Sequence, residues 1–228
     1  MHWRRRFIVV TVVVVLILAG LGAAFWFVFV QNWRPPLTGA ERYGVDVSAH
    51  QGEIDWERVA DDGIEFAYIK ATEGQGWVDE QFAANWEGAA RAGLDRGAYH
   101  FFTLCATGAE QAHNFLRVAP PDADALPPAI DLELNGNCSE RPPVDDVAQH
   151  VATFVRMIEQ EWGRDLLFYV RPDWDERYPT RDGLDRQLWD VRFLRRPTDD
   201  RWQVWQIHGF AHVAGISGGV DLNVMRDG

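Results

Sequence analysis

Residues 7–30 contain no Asp, Glu, Lys or Arg, and they follow three consecutive arginines, Arg4, Arg5 and Arg6. A helix needs about 20 apolar residues to cross the hydrocarbon of a bilayer, so this run predicts an N-terminal transmembrane helix. Residues 31–42 include Pro35, Pro36 and Gly39 and read as a short extended linker. The pattern then alternates. Strand-like apolar segments at 43–48, 65–71, 95–102, 129–134 and 166–170 are separated by helix-patterned segments at 55–62, 79–92, 108–118 and 144–162. Val147, Val151, Phe154, Val155 and Ile158 mark one face of the last of these helices, and Phe82, Trp86, Ala89 and Ala90 mark one face of 79–92. After residue 170 the pattern changes to strands at 187–193, 202–208 and 220–225, with little room for full helices between them. About five βα units followed by a strand-rich part predict an α/β fold, an irregular (β/α) TIM-like barrel. The alternative is an open doubly wound sheet, but no glycine-rich phosphate loop follows the first strand. The organisation expected is a basic tail at 1–6, an anchor at 7–30, a linker at 31–42 and one folded body at 43–228.

Charge sharpens this picture. The first 34 residues hold four arginines and no acid, so the remainder sets 34 acidic against 18 basic residues, a formal charge of −16. That excludes the basic surface expected of a nucleic-acid binder and disfavours adsorption to anionic lipid. Arginines before the apolar run predict a cytoplasmic N-terminus and a translocated body. Trp26 and Trp33 suit the far interface. A cleavable signal is the competing reading, with small residues at 19–24. The apolar run continues past that point to Val30, which favours a retained anchor. Either way the body lies outside the cytoplasm, periplasmic or extracellular, and is secreted if the segment is cleaved. Cys105 and Cys138 fit an oxidising compartment and are expected to form a disulfide closing a loop of about 33 residues. No His/Cys spacing suggests a metal, and neither metal nor cofactor is expected.

The chemistry concentrates near strand ends. Asp131-Leu132-Glu133 follows the apolar run Pro127-Pro128-Ala129-Ile130. On a strand the two acids face the same way, about 6–7 Å apart along the backbone. Two carboxyls on one wall can have their pKa values driven apart, leaving one acid and one anion. Asp46 lies on the first strand. Lys70, the single lysine, and Glu73 end the second, Tyr99 and His100 the third, and Tyr169 the fifth. Trp205, Gln206 and Asp221 lie on the last two. Each has an ordinary explanation: a satisfied buried acid, a surface ion pair, an aromatic in the core. Their shared location does not. Acids within apolar strands are paired or used.

The runs Asp46-Val47-Ser48-Ala49-His50-Gln51-Gly52, Ile54-Asp55-Trp56 and Ile69-Lys70-Ala71-Thr72-Glu73-Gly74 resemble those of glycoside hydrolase family 25 lysozymes, the Chalaropsis-type N-acetylmuramidases. Gly97-Ala98-Tyr99-His100-Phe101, Asp131-Leu132-Glu133, Trp205-Gln206 and Val220-Asp221-Leu222-Asn223 follow in that family's order. The resemblance runs from about Tyr43 to Met225. It implies a flattened (β/α) barrel and cleavage of the β-1,4 bond between N-acetylmuramic acid and N-acetylglucosamine in peptidoglycan. Glu133 would be the general acid and Asp131 its anionic partner, with Asp46 and Asp221 as supporting acids. Lys70, Glu73, Tyr99, His100, Tyr169, Trp205 and Gln206 would contact substrate. The chain departs from the family at Trp77, at Arg171-Pro172 and in the Cys105/Cys138 pair, features of groove walls and loops.

On this reading neighbouring anions, chiefly Asp131, raise Glu133 toward neutrality. Asp131 either attacks the sugar directly or steadies the substrate's own 2-acetamido group as it attacks. The Asp-x-Glu spacing favours the second route, and an inverting route would draw on Asp46 or Asp221. Two other readings remain at this point: a non-catalytic peptidoglycan-binding module on a hydrolase scaffold, and a hydrolase of another acetamido-glycan. The body is expected to act as a monomer on glycan strands.

Overall fold

The computed structural model describes residues 2–182 and 185–226. The chain divides into two compact units between Pro35 and Pro36. In the first, helix α1 (His2–Phe25) continues as a π-helical turn, Trp26–Val30. The stretch Trp3–Val30 is long and apolar enough to cross a membrane.

The second unit is a closed barrel of eight strands with helices outside it. In chain order the strands are β1 (Glu41–Val47), β2 (Phe66–Glu73), β3 (Trp77–Val78), β4 (Asp95–Phe101), β5 (Ala129–Leu132), β6 (Leu167–Val170), β7 (Leu188–Val191), β8 (Trp202–Ala211) and β9 (Val220–Arg226). The ring runs β1, β2, β4, β5, β6, β7, β8, β9 and back to β1. Strand β3 stands outside it as the second arm of a hairpin on β2. Ring neighbours are parallel except at β9, which runs antiparallel to both β8 and β1.

The barrel interior is filled by Phe66, Tyr68, Leu167, Tyr169, Trp189, Val204 and Met225. Two glycines make room for the aromatics of β2. Gly44 pairs with Phe66, and a Cβ at Gly44 would lie 2.3 Å from the Phe66 ring. Gly97 pairs with Tyr68 and stands in the same relation to it, at 2.3 Å. A side chain at either position would displace a core aromatic.

The helices cover the outer face. They are α2 (Trp56–Asp61), α3 (Phe82–Arg91), α4 (Gly108–Val118), α5 (Val144–Trp162) and α6 (Pro172–Arg177). Helix α4 begins with a reciprocal cap in which Thr107 accepts from the Glu110 N–H and Glu110 accepts from the Thr107 N–H. Helix α5 ends at Gly163 in the left-handed region, φ 64°. Its apolar stripe buries Val147, Val151, Phe154, Ile158 and Trp162.

Three features differ from the pattern-based expectation. Strand β1 begins at Glu41, and Arg196 bonds both Glu41 and the Pro36 carbonyl, so the second half of the expected linker is docked on the barrel. Helix α6 is too short, at six residues, to show a period. Strand β5 ends at Leu132, which puts Glu133 just past the ladder.

Cys105 and Cys138 are joined, with Cα atoms 6.0 Å apart, tying the loop after β4 to the loop after β5. Closing a loop of 33 residues removes unfolded-chain entropy worth about 3–4 kcal/mol. The paired variant Cys105→Ser/Cys138→Ser is therefore expected to melt about 10 °C lower. Unchanged thermal melting would show that the crosslink constrains little.

Candidate active site

The site lies at the barrel mouth formed by the carboxyl ends of the parallel strands. The cleft has a volume of about 480 Å³, and its walls bring together Asp46, Lys70, Glu73, Tyr99, Asp131, Glu133, Tyr169, Gln206 and Asp221. All nine were candidates from sequence. Asp221 arrives by an unexpected route, because it sits near the amino end of its strand. Since β9 runs backwards, that end lies at the same mouth, and Asp221 pairs directly with Asp46 near the carboxyl end of β1.

Strand alternation decides the rest. Tyr99 faces the cleft, so its neighbour His100 faces the helices. His100 is fully buried, bonds Thr72 and Gln111, and stacks on Phe154 of α5 at 4.8 Å. Burial pushes its imidazole down to about 3, so it is neutral. Gln206 likewise faces inward and Trp205 outward. Trp205 is 1% exposed, and its indole N–H donates to the Arg192 carbonyl. His100 and Trp205 are thus packing residues and do not contact the cleft, because consecutive strand residues cannot share a face. Lys70 and Glu73, three apart, depart from strict alternation. A bulge between Lys70 and Thr72 inserts one residue and brings both to one side.

Sequence reasoning passed over Trp189 and the part played by Arg171, and it gave Asn223 no role of its own. Trp189 lines the cleft from β7, and its N–H donates to Asn223 Oδ1 at 2.9 Å. Asn223 Nδ2 donates to Asp46 Oδ2 at 2.7 Å. Gln206 donates to the same oxygen at 3.2 Å and accepts from the Tyr169 hydroxyl at 2.9 Å. The inward parity of Tyr169 and Gln206 was the signal that could have found Trp189 and Asn223.

Glu133 is fixed through its backbone. Asn137 Nδ2 donates to the carbonyls of Glu133 and Phe102, at 3.0 and 2.8 Å. Asn137 Oδ1 accepts from the N–H groups of Leu104 and Cys138. One half-buried amide thus joins the two disulfide-linked loops under Glu133. On the other side, Arg171 Nε lies 3.4 Å from Glu133 Oε2. Lys70 pairs with Glu73 at 2.7 Å and lies between the rings of Phe101 and Trp77.

Electrostatics differ in one respect from the expectation. Burial, more than any neighbouring anion, pushes Glu133 up to about 7; Arg171 pulls it down, and Asp173 and Asp221 push it up. Burial raises Asp221 to about 6 against the pull of Arg171. Burial also raises Asp46, with Asp221 adding to it, and raises Asp131, with Glu133 adding to it. Burial thus raises all four carboxyls of the cleft, Asp131 and Glu133 among them.

The profile of Glycosyl hydrolases family 25 matches residues 45–218. The chain is 34% identical over 192 residues to the uncharacterized Escherichia coli protein YegX, covering 81% of this chain and 69% of that protein. It is 32% identical over 194 residues to Lysozyme M1 of Streptomyces globisporus, covering 79% of this chain and 66% of that one. The solved family 25 glycosyl hydrolase of Bacillus anthracis superposes with a TM-score of 0.76 at 32% identity, covering 85% and 93% of the two chains.

The raised carboxyls have a sign consequence for stability. A carboxyl whose folded pKa is raised binds more protons folded than unfolded, so stability falls as pH climbs from the unfolded value near 4 through the folded one. For Glu133 and Asp221 that window is about 4 to 7 and about 4 to 6. Asp199, held down to about 2 by Arg201, acts only below that window, where its stabilisation is lost as pH falls. The melting temperature is expected to peak near pH 4 and decline toward pH 7.5. Asp221→Asn should raise it by a few degrees at pH 7.5 and flatten the decline. A melting temperature that rises between pH 5 and 7.5 would contradict this charge arrangement.

Proposed function

The chain belongs to the glycosyl hydrolases of family 25, and we propose that Glu133 and Asp131 carry out its hydrolysis of peptidoglycan. It is a lysozyme-type glycoside hydrolase, a muramidase. The bond cut joins N-acetylmuramic acid to N-acetylglucosamine.

The observation that carries the residue roles is the pairing of a fixed carboxyl that holds its proton with an unsatisfied one. Glu133 titrates near neutrality and is tethered by Asn137 at the edge of the cleft, so it can present a proton to the leaving oxygen. Asp131 Oδ1 is buried with no hydrogen-bond partner. A buried acceptor left unpaired costs about 1–3 kcal/mol, and the N–H of a 2-acetamido group would satisfy it. Held in that way, the acetamido oxygen attacks the anomeric carbon while Glu133 protonates the departing oxygen. Water then opens the cyclic intermediate, with Glu133 taking a proton back, and configuration is retained. Lys70 pulls Asp131 toward its anionic form, which suits the positive charge developing on the acetamido nitrogen. Asp46 is locked by Asn223 and Gln206 and supports the cleft wall beside Asp221. Tyr99, Tyr169 and Trp189 supply ring surface for the sugar.

We further assign the apolar helix as a retained anchor. Its uninterrupted apolar run to Val30, with Arg4, Arg5 and Arg6 ahead of it, supports a cytoplasmic N-terminus and an extracytoplasmic barrel.

Glu133→Gln is expected to lower turnover of purified peptidoglycan at least a thousand-fold, of the order a lost general acid supplies, with melting preserved. Asp131→Asn should lower turnover about a hundred-fold or more. Mass spectrometry of the products should find muramic acid at the new reducing ends, and early NMR should show the β-anomer first. An α-anomer first would replace the acetamido route with an inverting one. Near wild-type clearing by Glu133→Gln would remove Glu133 from its role.

A further inference from the structure

Arg171 stands beside the acid for reasons that can be traced along the chain. Its backbone N–H donates to the Leu132 carbonyl at 3.0 Å, which sets it next to Glu133 across the β5–β6 ladder. Pro172 then starts α6 and places Asp173 in that helix's first turn. The guanidinium Nε lies 3.4 Å from Glu133 Oε2 and 3.5 Å from Asp173 Oδ1. A single N–H cannot point at both. Neither contact has hydrogen-bond geometry, and both Arg171 Nε and Asp173 Oδ1 are buried without a hydrogen-bond partner. The cation lies between the acid and a second carboxylate, and it also bonds Tyr169.

We propose that Arg171 and Asp173 form a charge relay behind the general acid, in which Arg171 turns toward Asp173 while Glu133 is protonated and toward Glu133 as it gives its proton up. The proposal rests on Glu133 being the acid. In that step the O–H bond of Glu133 breaks and the proton bonds the glycosidic oxygen. That oxygen keeps the electron pair of the broken bond to the anomeric carbon, and one negative charge remains on Glu133. Arg171 gains little from a neutral carboxyl and much from the new carboxylate, so its contribution grows toward the transition state. Asp173 has the complementary duty. Without it Arg171 would belong wholly to Glu133, which would be ionised before substrate arrives. The directions of their effects agree, Arg171 lowering Glu133 and Asp173 raising it. Both are positioning residues, since they act through Glu133.

Other charged and titratable groups also face or couple to Glu133. They are Asp46 from β1, Lys70 from β2, Asp131 from β5, Tyr169 from β6 and Asp221 from β9. All are present in both variants, and only Tyr169 loses a contact, in Arg171→Met, so opposite responses of the two variants, with Arg171→Lys as control, isolate the relay.

The test compares pH profiles of kcat and kcat/KM on peptidoglycan for the full-length chain in detergent, with Arg171→Met, Arg171→Lys, Asp173→Asn and Glu133→Gln. Asp173→Asn should move the basic limb down by roughly half to one pH unit, and Arg171→Met should move it up by a similar amount, the shift being moderated by partial exposure. Arg171→Met should also lower kcat at its optimum about ten-fold with KM little changed, and Arg171→Lys should bring the limb back. A carbon-13 titration of the Glu133 carboxyl in Asp173→Asn and Arg171→Lys reads the same shift without turnover. Limbs that stay put, or move together, while Glu133→Gln is inactive overturn the relay and leave the acid assignment standing. Wild-type turnover by Glu133→Gln overturns both.

Discussion

An ionised carboxylate taken out of water loses several kcal/mol of hydration unless fixed dipoles or a cation replace it. This barrel mouth gathers Asp46, Asp131, Glu133 and Asp221 in one cleft, and the surrounding structure answers that constraint carboxyl by carboxyl. Asp46 receives two amide donors. Those amides are themselves oriented by Trp189 and Tyr169, so a chain of inward-facing residues from four strands ends on one oxygen. Glu133 receives a guanidinium at its carboxyl and a rigid backbone beneath it. Asp131 Oδ1 receives nothing. The result is a set of groups that keep protons where an exposed acid would have lost them, which acid–base chemistry requires and folding alone does not.

The same constraint explains why barrel closure matters chemically. Were β9 parallel to its neighbours, Asp221 would sit at the far mouth, away from the other acids. Reversing that strand lets Asp46 and Asp221 pair across one rung. The cost of that like-charge pair falls within the closed sheet, where the backbone cannot yield. The disulfide and the Asn137 amide do similar work in the loops. They hold the segment after β5 against the segment after β4, so Glu133 is fixed although it lies just past its strand.

Much of this was legible in the residues. The strand–helix alternation, the long amphipathic α5 and the clustering of acids near strand ends follow from apolar periodicity and need no tertiary information. The misplacements have one origin. His100 and Trp205 were grouped with the cleft by motif proximity, whereas strand geometry gives adjacent residues opposite faces. Applied strictly, that rule separates Tyr99 from His100 and Gln206 from Trp205. It would still have failed at Lys70 and Glu73, because a bulge between them is a local departure with no composition signature. Nor does sequence show that burial outweighs Asp131 in raising Glu133, since desolvation depends on how deeply the closed barrel buries the group.

The division of labour proposed for the two acids rests on their partners more than on their proton affinities. Burial raises both, so the direction of the shift does not tell the two apart. Their surroundings do: Asp131 has no hydrogen-bond partner at Oδ1. Glu133 has an arginine able to receive the charge left after proton transfer. A group that must change charge during the reaction needs such a partner, and a group that must only accept an N–H needs an open lone pair. In the proposed mechanism substrate binding would supply that N–H to Asp131 and, by favouring its anion, leave the proton on Glu133. The acetamido group would then select its own acid as it binds, because the contact that orients it also settles which carboxyl holds the proton.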